Sequence, residues 1–451
     1  MNLPQVDKIV EAVLYEGFIL YPYRPSSKKN RQRFTFGRVY PHGYSVAQKG
    51  AEPWALRTQC LMNCEGDDAR IEVTARFLHV TAREVLVLPA PLLDLPEALD
   101  TASLQVTPEL QVEEQQYSTW QEAVERAVNL PAQYLHQVCD APGSLPFHFP
   151  SSSSLEPIRN SQGSIVGLIR RRQAALAGAI ELTAQRLDPQ MIRITAGIVN
   201  QTPISERELE NQDAVLMRTF TSTHTILHIA GGEFVSLMDP PPALHEFARS
   251  CKNEGTWPVL VGDEETGDRS TMLSSPIILY DYPKIASESP GQLFDGTEID
   301  EILTLRVMTM TDAEKAEMRQ SDERARQILE RTESLPEDQL WKMHGVVREL
   351  RSFDDDFFGN DPRLEVVDLN GVQLRIGHRV RIRPKSRADI MDIALAGKSA
   401  IIEAIEQDAE NRIHLALVLD DDPGKDLGFM RQPGHRFFFA LDEVEPLGET
   451  E

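Results

Sequence analysis

The chain has 451 residues, of which 41% are hydrophobic and 26% are charged, and its formal net charge is -24. This composition excludes a wholly disordered chain, and four cysteines are too few for a disulfide framework. Because the acid excess is spread along the sequence, it repels a polyphosphate backbone and argues against general nucleic-acid binding.

The sequence predicts no membrane span, since no stretch reaches the roughly 18 to 20 uninterrupted apolar residues that a spanning helix needs. The opening residues, MNLPQVDKIVEAVLYEG, contain carboxylates where a signal peptide is apolar. We therefore expect a cytoplasmic location.

The first segment, residues 1–157, mixes strand and helix patterns. Apolar residues alternate with polar ones from Ile71 to Phe77, and this period of two is typical of a half-buried strand. In STWQEAVERAVNLPAQYLHQV (118–138), Thr119 and Glu122 match a capping box and predict a helix interrupted at Pro131. Residues 141–157 are rich in Pro, Gly and Ser and predict a domain boundary.

The middle segment, residues 158–305, has one long predicted helix, RRRQAALAGAIELTAQRLD (170–188), and a short one, PALHEFARSC (242–251). Its β-branched and aliphatic content elsewhere favours strands. The predicted strands are MIRITAGIVN (191–200), AVLMRTFTS (214–222), HTILHIAGG (224–232) and PIILYDYP (276–283).

Two helices and a run of short strands follow. Thr311 with Glu314, and Ser334 with Glu337, match capping boxes that precede helical patterns at 315–332 and 338–353. From residue 371 the pattern predicts four or five strands, typical of a small SH3-like barrel. These strands lie in GHRVRIRP (377–384), KSAIIEAIEQD (398–408), RIHLALVLD (412–420) and HRFFFALDEVEPL (435–447).

The predicted architecture is a multidomain α+β protein with β-rich N-terminal and middle regions, a helical pair and a C-terminal SH3-like small β-barrel. The segments are an N-terminal α+β domain (1–157), a middle α+β domain (158–305), a helical segment (306–367) and the barrel (368–451). The patterns leave open whether residues 1–305 form one domain or two.

Two basic stretches, Tyr23–Arg38 and Arg375–Arg387, each contain six Lys or Arg residues and no carboxylate. The apolar flanks of the first, FILYPY and FTFGRVY, predict that it is the exposed loop of a hairpin. In the second, a strand would place three arginines on one face and bury Val380 and Ile382 on the other. The candidate partner-binding residues are Arg24, Lys28, Lys29, Arg31, Arg33, Arg379, Arg381 and Arg383.

Arginine suits bidentate contact with carboxylate or phosphate, so these stretches are candidate surfaces for an acidic protein partner. The equally weighted alternative is that their arginines pair with carboxylates of the same chain.

His224 and His228 form the best candidate metal site, which Glu233 or His245 could complete. On a strand, however, a spacing of four residues spans about 13 Å, which favours two separate sheet histidines. The same distance argues against a shared metal at Cys60 and Cys64. The stretch GDEETGDRS (262–270) carries four carboxylates but lacks the ligand order of an EF-hand, which favours a solvated turn.

The sequence contains no Gly-x-Ser-x-Gly elbow, Walker loop or Gly-x-Gly-x-x-Gly turn, which lowers the expectation of catalysis without excluding it. No cofactor is expected.

Five runs carry a resemblance: VLYEGFILYPYRPSSKKNRQRFTFGRVYP, GGEFVSLMDPP, LSSPIILYDYPKIASESPGQLFDGTEIDEILTLRV, GHRVRIRP and LALVLDDDPGKDL. Together they resemble uncharacterised bacterial proteins encoded beside [NiFe]-hydrogenase structural and maturation genes. The resemblance implies an accessory role in assembling, maturing or docking a hydrogenase, with hydrogenase subunits or maturation proteins as partners. A nickel or iron inserter fits less well, because the chain has no His-rich tract and no nucleotide loop.

The sequence thus favours a non-catalytic accessory protein that binds another protein as a scaffold. The alternative is a metal-binding or metal-dependent maturation factor that uses His224 and His228. A nucleic-acid-binding protein is the third hypothesis.

Overall fold

The computed structural model describes residues 3–25, 27, 30, 35–64, 68–96, 99–285, 291–294, 300–336, 366–369, 371–384, 395–407, 413–422, 425 and 436–447. The chain divides into two compact units. Unit 1 comprises Met1–Ile285, Phe294–Gly296 and Asp312–Gln327, and unit 2 comprises Ala286–Leu293, Thr297–Thr311 and Ile328–Glu451.

Antiparallel sheets make up most of unit 1. The strands are β1 Ala55–Asn63, β2 Arg70–Leu92, β3 Gln105–Thr107, β4 Glu109–Val112, β5 Gln115–Ser118, β6 Trp120–Tyr134, β7 Gly143–Phe149, β8 Ser152–Arg159, β9 Ile165–Gln173, β10 Leu176–Arg186, β11 Met191–Asn200, β12 Phe220–Ala230, β13 Glu233–Val235, β14 Trp257–Leu260 and β15 Thr271–Ser275. One sheet has the order β13-β1-β11-β10-β7, and a larger one has the order β14-β15-β12-β2-β9-β8 with β3 and β6 also paired to β2. β4 and β5 form a separate hairpin.

The main core of unit 1 lies between the two large sheets. The residues Ile71, Val73, Ala75 and Phe77 of β2 are fully buried, as their period of two predicts, and pack with apolar residues of β1, β10 and β11. Phe77 stacks on Phe220 of β12 with 4.6 Å between ring centroids. Burying each Phe side chain contributes about 1.5–3 kcal/mol, so this contact fixes β12 against β2 on the core side.

The structure also contains short helices. The helices are α1 Leu3–Leu14, α2 His42–Ala47, α3 Leu135–Asp140, α4 Gln212–Leu216, α5 His245–Ser250, α6 Asp300–Met308, α7 Asp312–Ser321 and α8 Glu323–Glu333. One-turn 3-10 helices occur at Glu206–Glu208, Pro242–Leu244 and Leu441–Glu443. In α1, Val6, Ile9 and Val10 share one face and pack on apolar residues of β12, β14 and β15, which covers that side of the larger sheet.

Unit 2 contains the C-terminal strands β16 Val366–Leu369, β17 Val372–Arg375, β18 Arg379–Ile382, β19 Ser399–Gln407, β20 Ile413–Leu419, β21 Phe437–Ala440 and β22 Val444–Pro446. β16 and β17 pair with each other, and the others form an antiparallel sheet of order β21-β20-β19-β18-β22. The strand predictions from residue 377 onward are therefore confirmed. Within the described residues β21 and β22 remain the two edges of this sheet, with no hydrogen-bonded closure into a barrel.

Two predicted helices are wrong, because their residues form strands: 120–134 is β6, and 170–188 contains β9 and β10. Val128 and Leu130 are both buried and two positions apart, a spacing that places them on one face of a strand but on opposite sides of a helix. Pro131 lies where the register of β6 against β2 shifts between Ile71 and Val73. Among the described strands β6 pairs with β2 alone, and an edge strand with an irregular register is where a sheet tolerates proline.

The predicted hairpin around the first basic stretch is also wrong, since its described flanks are not strands. Residues 15–18 and 21–22 form turns. The side-chain amide of Asn30 anchors Leu20 between them: its Oδ1 accepts from the Leu20 N–H at 3.0 Å and its Nδ2 donates to the Leu20 carbonyl at 2.8 Å. On the other side, Val39 makes a single isolated bridge to Phe220.

Other local predictions have mixed outcomes. The strands at 191–200 and 224–230 and the short helix at 245–250 are confirmed, and α7 begins directly after the predicted cap residue Thr311. The predicted helix 315–332 is divided at Asp322, whose carboxylate accepts from the Arg324 N–H at 2.8 Å and so caps α8. The predicted strand at 214–222 starts only at Phe220, and residues 276–283 form no strand. The predicted helix 338–353 lies outside the described residues.

Strands from both sides of residue 157 share the same sheets. β2 pairs with β6 from the N-terminal segment and with β9 and β12 from the middle segment. Residues 1–285 therefore belong to one compact unit, whereas 286–293 and 297–305 of the predicted middle segment belong to unit 2.

Candidate functional site

The first basic stretch is described only in part. The guanidinium of Arg24 lies 3.0 Å from Oε1 of Glu314 and 3.5 Å from Oε2 of Glu317, both on α7. Arg24 therefore contacts carboxylates of its own chain. Four further candidates, Lys28, Lys29, Arg31 and Arg33, lie outside the described residues.

The second basic stretch shows the expected alternation on β18. Val380 and Ile382 are fully buried, whereas Arg379 and Arg383 are exposed on the other face and Arg381 is half-buried. Arg379 Nη2 lies 2.6 Å from Asp420 Oδ2, and Arg383 Nε lies 3.2 Å from Glu445 Oε2. Arg381 has no ion pair with any described residue, so the structure distinguishes it from its two neighbours in the row.

His224 and His228 both lie on β12. His224 is fully buried, its Nδ1–H donates to the Ser222 carbonyl at 2.8 Å, and its Nε2 has no partner among the described residues. Burial lowers the pKa of His224 to about 4, so the ring is neutral at pH 7. His228 is partly exposed, its Nδ1 lies 3.1 Å from Thr271 Oγ1, and burial lowers its pKa as well.

Across the described ranges no group of three or more His, Cys, Asp or Glu residues is placed to hold a metal ion. Cys60 and Cys64 are both buried in the core, and burial raises the pKa of Cys60 well above its usual range.

Unit 1 also has a charged pocket that the sequence did not predict. It arises because β2 and β9 pair with Arg83 directly opposite Arg171, so that both guanidiniums leave the same face. Glu122 of β6 lies between them: its Oε1 is 3.4 Å from Arg83 Nε and its Oε2 is 2.8 Å from Arg171 Nε. Arg171 Nη1 also donates to Glu156 of β8 at 2.6 Å.

We call this site the arginine pocket. It has a volume of about 560 Å³ and is lined by residues of β2, β5, β6, β8 and β9, by the end of α7 and by the start of α8. Its charged lining residues are Arg83, Arg171, Arg319, Arg324, Arg326, Glu122, Glu156, Asp322 and Glu323.

The two central arginines differ in environment. Arg83 is 3% exposed, its Nη1 donates to the Ser118 carbonyl at 2.5 Å, and burial lowers its pKa although Glu122 acts in the opposite direction. For Arg171, burial is outweighed by hydrogen bonds to Glu156 and Glu122, and its pKa is raised. Glu122 and Glu156 are therefore both engaged as ion-pair partners of the two arginines.

The adjacent arginines of β9 point the other way. Arg170 Nε and Arg172 Nη2 lie 2.7 Å and 2.6 Å from the carboxylate of Glu84, on the opposite face of the sheet. Three consecutive arginines are thus divided by the strand period into one pocket residue and two residues that share Glu84. The run RRRQ would have indicated this alternation if it had been predicted as a strand. The sequence analysis assigned it to a helix, so the alternation was not predicted.

No protein-family model matches the chain, and no curated protein matches it significantly in sequence. In the portion of the chain that the structure describes, no helix is both long and apolar enough to cross a membrane.

Proposed function

We propose that the chain is a non-catalytic accessory protein that binds another protein and assists the assembly or maturation of a [NiFe] hydrogenase. The observation that carries the binding part is the row of arginines on β18, displayed opposite a buried apolar face. The hydrogenase context is supported by the sequence resemblance. We further propose that the C-terminal sheet is an SH3-like module and that the protein acts in the cytoplasm.

Arg381 is the residue of the row to which we assign the strongest contact. Its neighbours Arg379 and Arg383 are already paired, but their side chains are 53% and 56% exposed. Exposed ion pairs contribute only about 0–1 kcal/mol, so a partner's carboxylate can replace Asp420 or Glu445 at small cost. Arg381 needs no such exchange, since it has no internal ion pair within the described part of unit 2.

The test is a pull-down with purified hydrogenase subunits and maturation proteins. The variant Arg381→Glu should reduce recovery of the partner about tenfold, because a like charge replaces a charge-assisted contact. The triple charge reversal at Arg379, Arg381 and Arg383 should abolish recovery.

Lys252→Glu is the matched control, since it makes the same change in charge at an exposed residue of unit 1. It should leave recovery unchanged. Undiminished recovery with the triple variant would remove the β18 row from the proposal, and failure of the unaltered protein to recover any hydrogenase component would remove the hydrogenase role.

A further inference from the structure

We propose that the arginine pocket binds a small polar molecule that carries an oxyanion, either a carboxylate or a phosphate. The site lies wholly within unit 1 and is independent of the proposed hydrogenase role.

The first argument is the unused hydrogen-bonding capacity of the two central arginines. Arg83 Nε is buried without a hydrogen-bond partner among the described residues, although Glu122 lies 3.4 Å away. Arg171 uses Nε and Nη1 for Glu122 and Glu156, and its Nη2 donates to no described residue. Buried polar groups in native proteins are nearly always bonded, so the unbonded Nε of Arg83 in a pocket indicates a partner that binds there. The Arg171 side chain is 34% exposed, and its Nη2 is a further donor at the same site.

The second argument is charge. Five arginines and four carboxylates line the pocket, an excess of one positive charge in a chain whose net charge is -24. The guanidiniums of Arg83 and Arg171 leave directly opposite positions of neighbouring strands, and only Glu122 is shared between them. Glu156 also pairs with Arg171, so the excess positive charge belongs to the lining as a whole. An added oxyanion would balance that charge and accept hydrogen bonds from the N–H groups of Arg83 and Arg171 that remain unbonded.

The third argument concerns size and lining. A volume of about 560 Å³ falls in the range of small-molecule sites and exceeds what a single inorganic ion occupies. Hydroxyl groups of Ser152 and Ser154 and the side-chain amide of Gln320 add polar groups, and the Oε1 atom of Gln320 is buried without a partner among the described residues. The ligand should therefore carry hydrogen-bond donors as well as the oxyanion.

The strand alternation supplies matched variants for the test. Arg171→Gln removes a pocket guanidinium, and Arg172→Gln removes the next guanidinium of β9, which points to Glu84 on the other face. Ser154→Asp places a negative charge beside Arg171, and Ser153→Asp places the same charge beside Arg172. The serine variants keep all arginines, so they report on the pocket even if Arg171→Gln fails to fold.

Isothermal titration calorimetry of the full chain with inorganic phosphate and with citrate, at constant ionic strength, measures binding. We expect saturable binding of at least one anion to the unaltered protein, to Arg172→Gln and to Ser153→Asp. Arg171→Gln and Ser154→Asp should bind about tenfold more weakly or not at all. Binding of phosphate alone would identify the oxyanion as a phosphate, and binding of citrate alone would identify it as a carboxylate.

Two results would overturn the proposal. One is the absence of saturable binding of both anions to the unaltered protein. The other is equal affinity in Ser154→Asp and Ser153→Asp, which would place the bound anion elsewhere on the protein.

Discussion

Two buried histidines on the larger sheet of unit 1 should make its stability depend on pH. His79 and His224 are both fully buried, and burial lowers the pKa of each to about 4 from the ordinary 6.5. Below pH 6.5 the unfolded chain binds protons that the folded chain excludes, so stability is full above that pH and falls as the pH drops toward 4. Between pH 7.5 and pH 5, each histidine should lower the free energy of unfolding by about 2 kcal/mol.

The variant His224→Gln should remove about half of this dependence, because glutamine can still donate to the Ser222 carbonyl but does not titrate. Denaturant midpoints at pH 7.5 and pH 5 measure the effect. The exposed His245 provides the control, since His245→Gln should retain the full dependence. An unaltered pH dependence in His224→Gln would show that His224 is accessible to protons in the folded protein.

Gly37, within the first basic stretch, lies too close to neighbouring atoms to accommodate a side chain. Its φ is +55°, and a Cβ atom there would lie 2.7 Å from Pro276 and 3.1 Å from the backbone nitrogen of Thr223. Gly50 also has a positive φ, +78°, but a Cβ atom there would meet nothing within 4 Å. Both alanine variants incur backbone strain, but Gly37→Ala also overpacks the contacts with Pro276 and with Thr223 of β12, and should be the less stable variant by about 1–3 kcal/mol.

Urea unfolding of Gly37→Ala and Gly50→Ala gives this difference directly. Equal stabilities would mean that residues 35–39 move away from β12 without cost.

Among the elements, β6 and β9 show where sequence reasoning succeeds and fails. The strands β2 and β11 were predicted correctly because they are buried on one or both faces, and their own sequences are therefore regularly apolar. β6 and β9 carry charged residues among partly buried ones, and apolar residues four positions apart, such as Trp120 and Val124, share a face of either a helix or a strand. Their pairing with β2 decided the outcome, and such long-range pairing leaves no local signal.

The candidate site was predictable to a similar extent. The alternation on β18 followed from a strand period over five residues, so its arginine row was found. The arginine pocket joins Arg83, Glu122 and Arg171, which are brought together by strands far apart in sequence. The register that sets them side by side depends on tertiary packing, so the pocket could not be derived from spacing.

The strand β19 allows its own register to be tested. Ile402 is fully buried in the core of the C-terminal sheet, whereas its neighbour Ile401 faces the other side and is half-buried. Ile402→Ala should lower the free energy of unfolding by about 2–5 kcal/mol through lost burial and a cavity, and Ile401→Ala by less than about 1.5 kcal/mol. Similar losses in the two variants, measured by denaturant unfolding, would contradict the assigned register.

At the scale of the whole molecule, the net charge of -24 should control the rate at which the protein associates with the acidic partner that we propose. At 0.01 M salt the Debye length is about 30 Å, so long-range repulsion between two acidic proteins slows their association. At 0.1 M the Debye length falls to about 10 Å, and this repulsion weakens. The short-range contact that we propose for Arg381 should have the opposite salt dependence, because added ions weaken an ion pair once it has formed.

Association with an acidic hydrogenase component should therefore become faster as salt rises from 0.01 to 0.1 M, and dissociation should become faster as well. Surface plasmon resonance with the recovered component separates the two rates. Arg381→Glu should mainly accelerate dissociation, while Lys252→Glu should leave dissociation unchanged. An association rate that falls steadily with salt would instead indicate steering between opposite charges, and would replace the acidic partner by a basic one.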